Sequence, residues 1–371
     1  MNYSYPKKAE IDYFAGKGMN MFRYQFLWET LQPEVKTPLN QADLQRLKIS
    51  VKYATSRKLV VVLDPHDYAR YYETNVVGES KITSADFADF WRRLAVEFAD
   101  DTYVWFGLVN EPNRMSTRQW FEDANAAIAA IRGAGAKNLI LVPGNSWTGA
   151  HSWTSEDYGG ESNAKGVLNV KDPLDYWAIE VHQYLDTDSS GTHDEVVNPT
   201  IGSERLAQFV VWCRQNKMRA VLGEFGVPVV PNGEAALQNM LNSMERDHDV
   251  WLGWTWWAAG SRWGNYMFTI EPQNGHDRPQ MAWLEPHFPG AKIPEFAVSV
   301  KNGVGSCNAG AGAVEAVEAK SPNNGDVFEK WIGDTAWLKN PKSPKTTMVV
   351  PFKNVQIEAV FKDAPRIAAT Q

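Results

Sequence analysis

The stretch WFGLVNEP, residues 105–112, runs through six strand-type residues to Asn110 and then presents a carboxylate, Glu111. An apolar run without polar alternation suits a strand buried on both faces, as in a parallel sheet. Six more such runs share the chain: Asn20–Phe26, Leu59–Asp64, Asn138–Pro143, Trp177–His182, Ala220–Glu224 and Trp251–Trp257. Between them lie amphipathic stretches at 42–56, 84–98, 116–133 and 201–215, which read as helices. Repeated βα units of this number predict an α/β chain with a TIM-type (β/α) barrel rather than an open doubly wound sheet. The pattern stops at PGAKIP, residues 289–294, and short β-branched, turn-rich segments follow. The expected division is a barrel over 1–289, a linker over 290–295 and a small all-β module over 296–371.

Composition narrows the function. The 371 residues carry 37 basic and 44 acidic side chains, a net charge of −7, and no basic block. Neither nucleic acid nor an anionic membrane is an expected partner. No run reaches the roughly 18 apolar residues of a membrane span. Two cysteines, Cys213 and Cys307, fall in different expected domains and read as free thiols. The N-terminal residues show no secretory apolar core. Sixteen tryptophans are many for this length; an indole packs well in a core and also makes a platform for a sugar ring.

Functional groups of a parallel barrel collect where its strands end. The groups there are Arg23 and Trp28, then Asp64 and His66, then Asn110 and Glu111. Asn145, Ser146 and Trp147 follow, then His182 and Tyr184, Glu224, and Trp257. A lone strand-end histidine or arginine is more often structural, but seven strands delivering ionisable, amide or aromatic groups to one rim define a site. Two of them are carboxylates on separate strands, Glu111 and Glu224, the pair that glycoside hydrolysis requires. Each could equally be an ion-paired rim residue, Glu224 with Arg23 for instance, and that pairing would also keep a nucleophile ionised. No HExxH, G-x-S-x-G or strand-borne G-x-G-x-x-G occurs, so metal, serine-nucleophile and dinucleotide chemistry lack support, and no cofactor is expected.

Taken in order, GKGMNMFRYQF, LDPHDYARYY, GLVNEPN, LILVPGNSWTGAHSW, EVHQYLD, LGEFG and GWTWWAAGSRW resemble glycoside hydrolase family 5, the retaining cellulases. The resemblance covers roughly residues 5–288 and is closest to the endo-β-1,4-glucanase branch. It implies Glu111 as acid/base and Glu224 as nucleophile, with Arg23 and Tyr184 against Glu224. Asn110 would bond the sugar 2-hydroxyl, His66 and His182 would line that subsite, and Trp257 would stack beneath the ring. Trp28, Trp147, Trp153 and Trp263 are candidates for flanking subsites. The chain departs from the pattern at Asn113, where many relatives carry histidine. The expected substrate is a cellulose-like β-1,4-glucan cut internally, with mannan, xyloglucan or mixed-linkage glucan as the alternatives, and a non-catalytic sugar binder as the rival from another class. Secretion is the location such a role implies, although no signal peptide stands in this chain.

The C-terminal segments loosely resemble small bacterial β-repeat modules, with Trp331 and Trp337 expected as core aromatics rather than a sugar platform. Seven strands are countable where the resembled fold has eight, and the missing one is the first. The gap is expected to close by narrowing, by the C-terminal module or by a neighbouring chain, which admits a homo-oligomer.

Overall fold

The computed structural model describes residues 4–156, 160–289, 295–310, 314–321, 323, 325–350 and 354–363. The expected linker lies mostly outside these residues. Two compact units are present and are taken in turn.

The first holds a seven-stranded, all-parallel sheet in chain order: β1 (Met21–Phe26), β2 (Val60–Pro65), β3 (Val104–Gly107), β4 (Ile140–Pro143), β5 (Trp177–His182), β6 (Ala220–Glu224) and β7 (Trp251–Trp254). Each connection steps to the next neighbour, so the sheet curls as a TIM-type barrel does, one strand short. Helices alternate with the strands along the chain: α1 (Lys8–Lys17), α2 (Gln41–Thr55), α3 (Ser84–Phe98), α4 (Thr117–Gly133), α5 (Ile201–Asn216), α6 (Gly233–Arg246) and α7 (Pro279–Leu284). Local chemistry sets their limits. Thr83 and Asp86 form a reciprocal cap that starts α3. The helix then buries Phe87, Phe90, Trp91, Leu94 and Phe98 along one stripe. Against it packs α4, which buries Trp120, Phe121, Ala124, Ile128 and Ile131.

Two strands end well before the sequence suggests. β3 ends at Gly107 and β7 at Trp254, so Asn110, Glu111 and Trp257 stand on the segments just beyond. Trp28 corrects another expectation. It is 2% exposed and packs among Tyr71, Phe87 and Phe90. Its backbone N–H donates to Asp67 at 2.7 Å and its indole N–H to Gln32 at 2.9 Å, which turns the ring into the core. Trp28 is therefore no sugar platform. Trp153 is likewise core, 1% exposed against Phe209 and Trp212.

β1 and β7 are the sheet's two edges, and among the described residues neither gains a second strand. At the N-terminal end of this seam Met21 Cε lies 3.5 Å from where a Cβ on Gly253 would sit, so one flexible side chain spans the narrow part. Along the same seam a cavity of about 560 Å³ opens, lined by Met21 as well as Phe14, Arg23, His66, Trp257 and Trp263.

The second unit takes in Leu241–Arg246 at the end of α6 and is otherwise built of strands. Its strands are β8 (Glu295–Lys301), β9 (Gly303–Val304), β10 (Cys307–Gly310), β11 (Val314–Ala319), β12 (Asp326–Gly333), β13 (Lys345–Val349) and β14 (Val355–Asp363). They form two sheets of their own, ordered β10–β8–β14–β12 and β9–β11–β13. Val298, Val317, Trp331, Leu338, Met348 and Ile357 fill the space between, with Trp337 packed partly buried against them. The Trp331 indole donates to the Ser343 carbonyl at 2.9 Å, as a satisfied core residue should. Both cysteines are free thiols.

Candidate active site

Strand alternation sorts the barrel interior into layers. Met21 and Arg23 share one side of β1, Val60, Val62 and Asp64 one side of β2, and Ala178, Glu180 and His182 one side of β5. The lower members pack as an apolar cluster of Val62, Leu139, Leu141, Ala178 and Val221, with Met21, Val60, Trp105 and Leu252 against it. The upper members are ionic and sit at the C-terminal rim.

Arg23 is the centre of that ionic layer. Its Nε donates to Glu180 Oε1 at 2.8 Å, and a terminal nitrogen lies 2.8 Å from Asp64 Oδ2 and 3.5 Å from Glu224 Oε2. The other terminal nitrogen donates to Asn110 Oδ1 at 2.8 Å. One rigid fork therefore fixes groups from four other strands or strand ends. Burial alone would lower the Arg23 pKa, but Asp64, then Glu180, Glu224 and Glu111 outweigh it and raise it above the ordinary value. Asp64 moves the other way: burial opposes ionisation, yet Arg23 and His66 hold its carboxyl below the usual value.

Glu224 ends β6 and is buried. The Tyr184 hydroxyl donates to its Oε1 at 2.5 Å. Burial raises its pKa, and Glu111 adds to that, while His182, Arg23 and His66 pull it down; the result is a carboxyl above the ordinary 4.5. Burial and Glu224 push the Tyr184 phenol well above its normal value, so it remains a donor. Glu111 follows β3 with φ +42°, a conformation that costs a non-glycine residue about 1–3 kcal/mol and turns up at functional sites. His182 stands between the two carboxylates, with Nδ1 2.7 Å from Glu111 Oε1 and 3.8 Å from Glu224 Oε2. Burial would lower its pKa, but Glu224, Glu111 and Glu180 together raise it to about 10, so the ring is an imidazolium at neutral pH. Oxygens of Glu111 and Glu224 come within 4.8 Å of one another.

Aromatic groups frame this pair. Trp257 stacks on the His66 ring at 5.3 Å and 9°, and Trp263 meets Trp257 edge-on at 5.1 Å. Trp147 is 38% exposed, and its backbone N–H donates to the Pro112 carbonyl, one residue past Glu111. Asn113 stays within its own turn, donating to the Glu111 carbonyl at 2.9 Å. Of the sequence-expected residues, Arg23, His66, Asn110, Glu111, His182, Tyr184, Glu224, Trp257 and Trp263 come together at this mouth, with Trp147 beside the Glu111 turn; Trp28 does not. Sequence reasoning missed Glu180. The signal was there: a glutamate inside an apolar strand, two positions before His182, shares its face.

Among the described residues, two groups of carboxylates and histidine have ligand atoms close together: Glu111–His182–Glu224, and Asp186–Asp188–His193. The first is an ion-paired set. In the second, Asp186 accepts from the Ser190 hydroxyl and from the backbone of Gly191, Thr192 and His193, which folds the loop.

Paired carboxylates held apart from solvent at the C-terminal rim of a parallel barrel define a glycoside hydrolase. Residues 1–260 match the cellulase family, glycosyl hydrolase family 5, and the chain belongs to it. Residues 297–365 match the divergent InlB B-repeat domain. Endo-β-1,4-glucanase B of Aspergillus niger is 38% identical over 275 residues, 74% of this chain and 80% of that protein. Endo-β-1,4-glucanase A of Emericella nidulans is 39% identical over 293 residues, 78% and 86% of the two. An endo-β-1,4-glucanase of Xanthomonas axonopodis pv. citri superposes with a TM-score of 0.75 at 47% identity, covering 77% of this chain and 91% of that one. A further solved relative, XacCel5A in complex with cellopentaose, gives 0.75 at 49% identity, with the same coverage.

Proposed function

We propose that this chain is a retaining endo-β-1,4-glucanase that cuts internal bonds of cellulose-like glucans through a covalent glycosyl-enzyme. The observation that supports the mechanism is that one oxygen of Glu111 and one of Glu224 lie within 4.8 Å of each other, both facing His182 Nδ1. Carboxyl groups about 5–5.5 Å apart serve double displacement, whereas inversion needs about 6.5–9.5 Å to admit a water. The substrate class rests on the named activity of the relatives and on the cellopentaose bound by one of them.

In the first step a Glu224 oxygen bonds to the anomeric carbon while Glu111 gives its proton to the departing glycosidic oxygen. In the second, Glu111 takes a proton from water, the water oxygen bonds to the same carbon, and Glu224 leaves. Arg23, Tyr184 and His182 hold Glu224 as an oriented carboxylate. Asn110, fixed by Arg23, is placed for the sugar 2-hydroxyl, and Trp257 offers its face to the ring, with His66, Trp147 and Trp263 around it. On this reading residues 1–289 are the catalytic domain, and 296–371 a separate module joined through 290–295. An insoluble polymer has to be met outside the cell, which places the working enzyme there.

NMR of the first product formed from cellopentaose tests the mechanism. The β-anomer should appear first, and α-anomer first would sink it. Reducing-sugar release across cellulose, mannan, xyloglucan and mixed-linkage glucan tests the substrate, and a polymer preferred well over the β-1,4-glucan would overturn that half.

A further inference from the structure

Glu180 lies in β5 with its side chain 1% exposed, under the rim rather than on it. It accepts from Arg23 Nε at 2.8 Å, and the same oxygen is 3.5 Å from His182 Nε2. Those two cations are the ones that face Glu224. The chain also makes room for this carboxylate. A Cβ on Gly223, the residue before Glu224, would fall 2.2 Å from Glu180 Oε1 and 2.6 Å from its Cγ. A charged side chain is costly inside a barrel unless it is paired, and here the neighbouring strand β6 gives up a side chain at Gly223 to seat it.

We propose that Glu180 is a positioning residue for the hydrolysis: it clamps Arg23 from below, so that one terminal nitrogen faces Glu224 and the other holds Asn110, and it anchors His182 between the two rim glutamates. Gly223 is the device that lets it do so. This rests on the retaining reading above. Arg23 has three directions of attachment at Glu180, Asp64 and Asn110. With Glu180 removed, the guanidinium can rotate about the remaining two, and displacement of an aligned group by about 1 Å costs on the order of 10²-fold in rate.

The test compares wild type, Glu180→Gln, Glu180→Ala, Gly223→Ala and the double variant on dinitrophenyl cellobioside, with melting temperature recorded for each. Glutamine keeps an acceptor for Arg23 Nε but loses the charge, so kcat should fall about 10-fold; alanine loses both, and kcat should fall about 100-fold. KM should stay within about threefold in both, because Glu180 is not placed against the sugar. Gly223→Ala should resemble Glu180→Ala, and adding it to Glu180→Ala should cost almost nothing more, because the clash is gone. Additive losses in that cycle would overturn the proposal. So would a folded Glu180→Gln within twofold of wild type, a measurement that stands even if the alanine variant fails to fold. A wild type that releases no β-1,4-glucoside product would instead overturn the functional reading, so the two failures are distinguishable.

Discussion

The two sides of the cleft hold their glutamates differently. At the β6 end, Glu224 is 7% exposed, ends a regular strand, and is met by a tyrosine hydroxyl, a guanidinium and an imidazolium. At the β3 end, Glu111 is 14% exposed, sits past the strand on strained backbone, and has the His182 contact. A nucleophile must be ionised and must not move, so it is surrounded by fixed donors. An acid/base must carry its proton in one step and lack it in the next, so a more open setting with fewer permanent partners suits it. The strand end builds the first, and the loop builds the second.

The contrast breaks most visibly if the roles are reversed. Glu224→Gln should lower turnover by on the order of 10⁴-fold or more and leave no trapped glycosyl-enzyme by mass spectrometry. Glu111→Ala should still form the intermediate from dinitrophenyl cellobioside, whose leaving group needs no proton. It should then lose about 10²–10⁴-fold in releasing the intermediate, seen as a burst followed by a slow steady state. Equal loss of the first step in both variants would erase the distinction.

Tryptophans sharpen the same contrast between a rim and a core. Trp257→Ala should cut activity on polymer about 10–100-fold with the melting temperature little changed. Trp28→Ala should instead cost about 3–5 kcal/mol of stability in denaturant titration, with near-normal specific activity in the fraction that stays folded. If the two phenotypes were exchanged, the placement of both indoles would be wrong.

The smallest expected effect is in the pH profile. Glu224 must be a carboxylate to attack, and its pKa is raised, so the acid limb of kcat/KM should lie above 4.5 rather than below it. His182 pulls that pKa down. His182→Asn should therefore move the limb to higher pH, and a shift to lower pH would contradict the ionic arrangement.

Much of this was legible in the residue order. Continuous apolar runs announced buried parallel strands, and the polar residue closing each one marked the rim, which is how Glu111, His182 and Glu224 were found. Trp28 misled because a position after a strand says nothing of which way a loop turns; Asp67 and Gln32 settled that, from segments far along the chain or one helical turn away. Glu180 lies inside β5 rather than at its end, and only the face it shares with His182 marks it. The positive φ of Glu111 has no local sequence sign, since it follows from how the loop past β3 is anchored.

The seam between β1 and β7 carries a mechanical consequence. Arg23 rides on β1 and Trp257 just past β7, so the two walls of the opening each bear a piece of the sugar site. In a closed ring, adjacent staves brace each other directly. Here strand pairing connects these walls only the long way round, through six strand-to-strand joints, while side chains tie α1 directly to the segment past β7: Lys17 to Asp277 and Glu285, and Tyr13 to Asp277. The barrel is a split collar. What holds its free ends together is therefore side-chain chemistry, the Lys17 and Tyr13 ties outside and the Arg23–Glu224 pair within, rather than a shared backbone ladder.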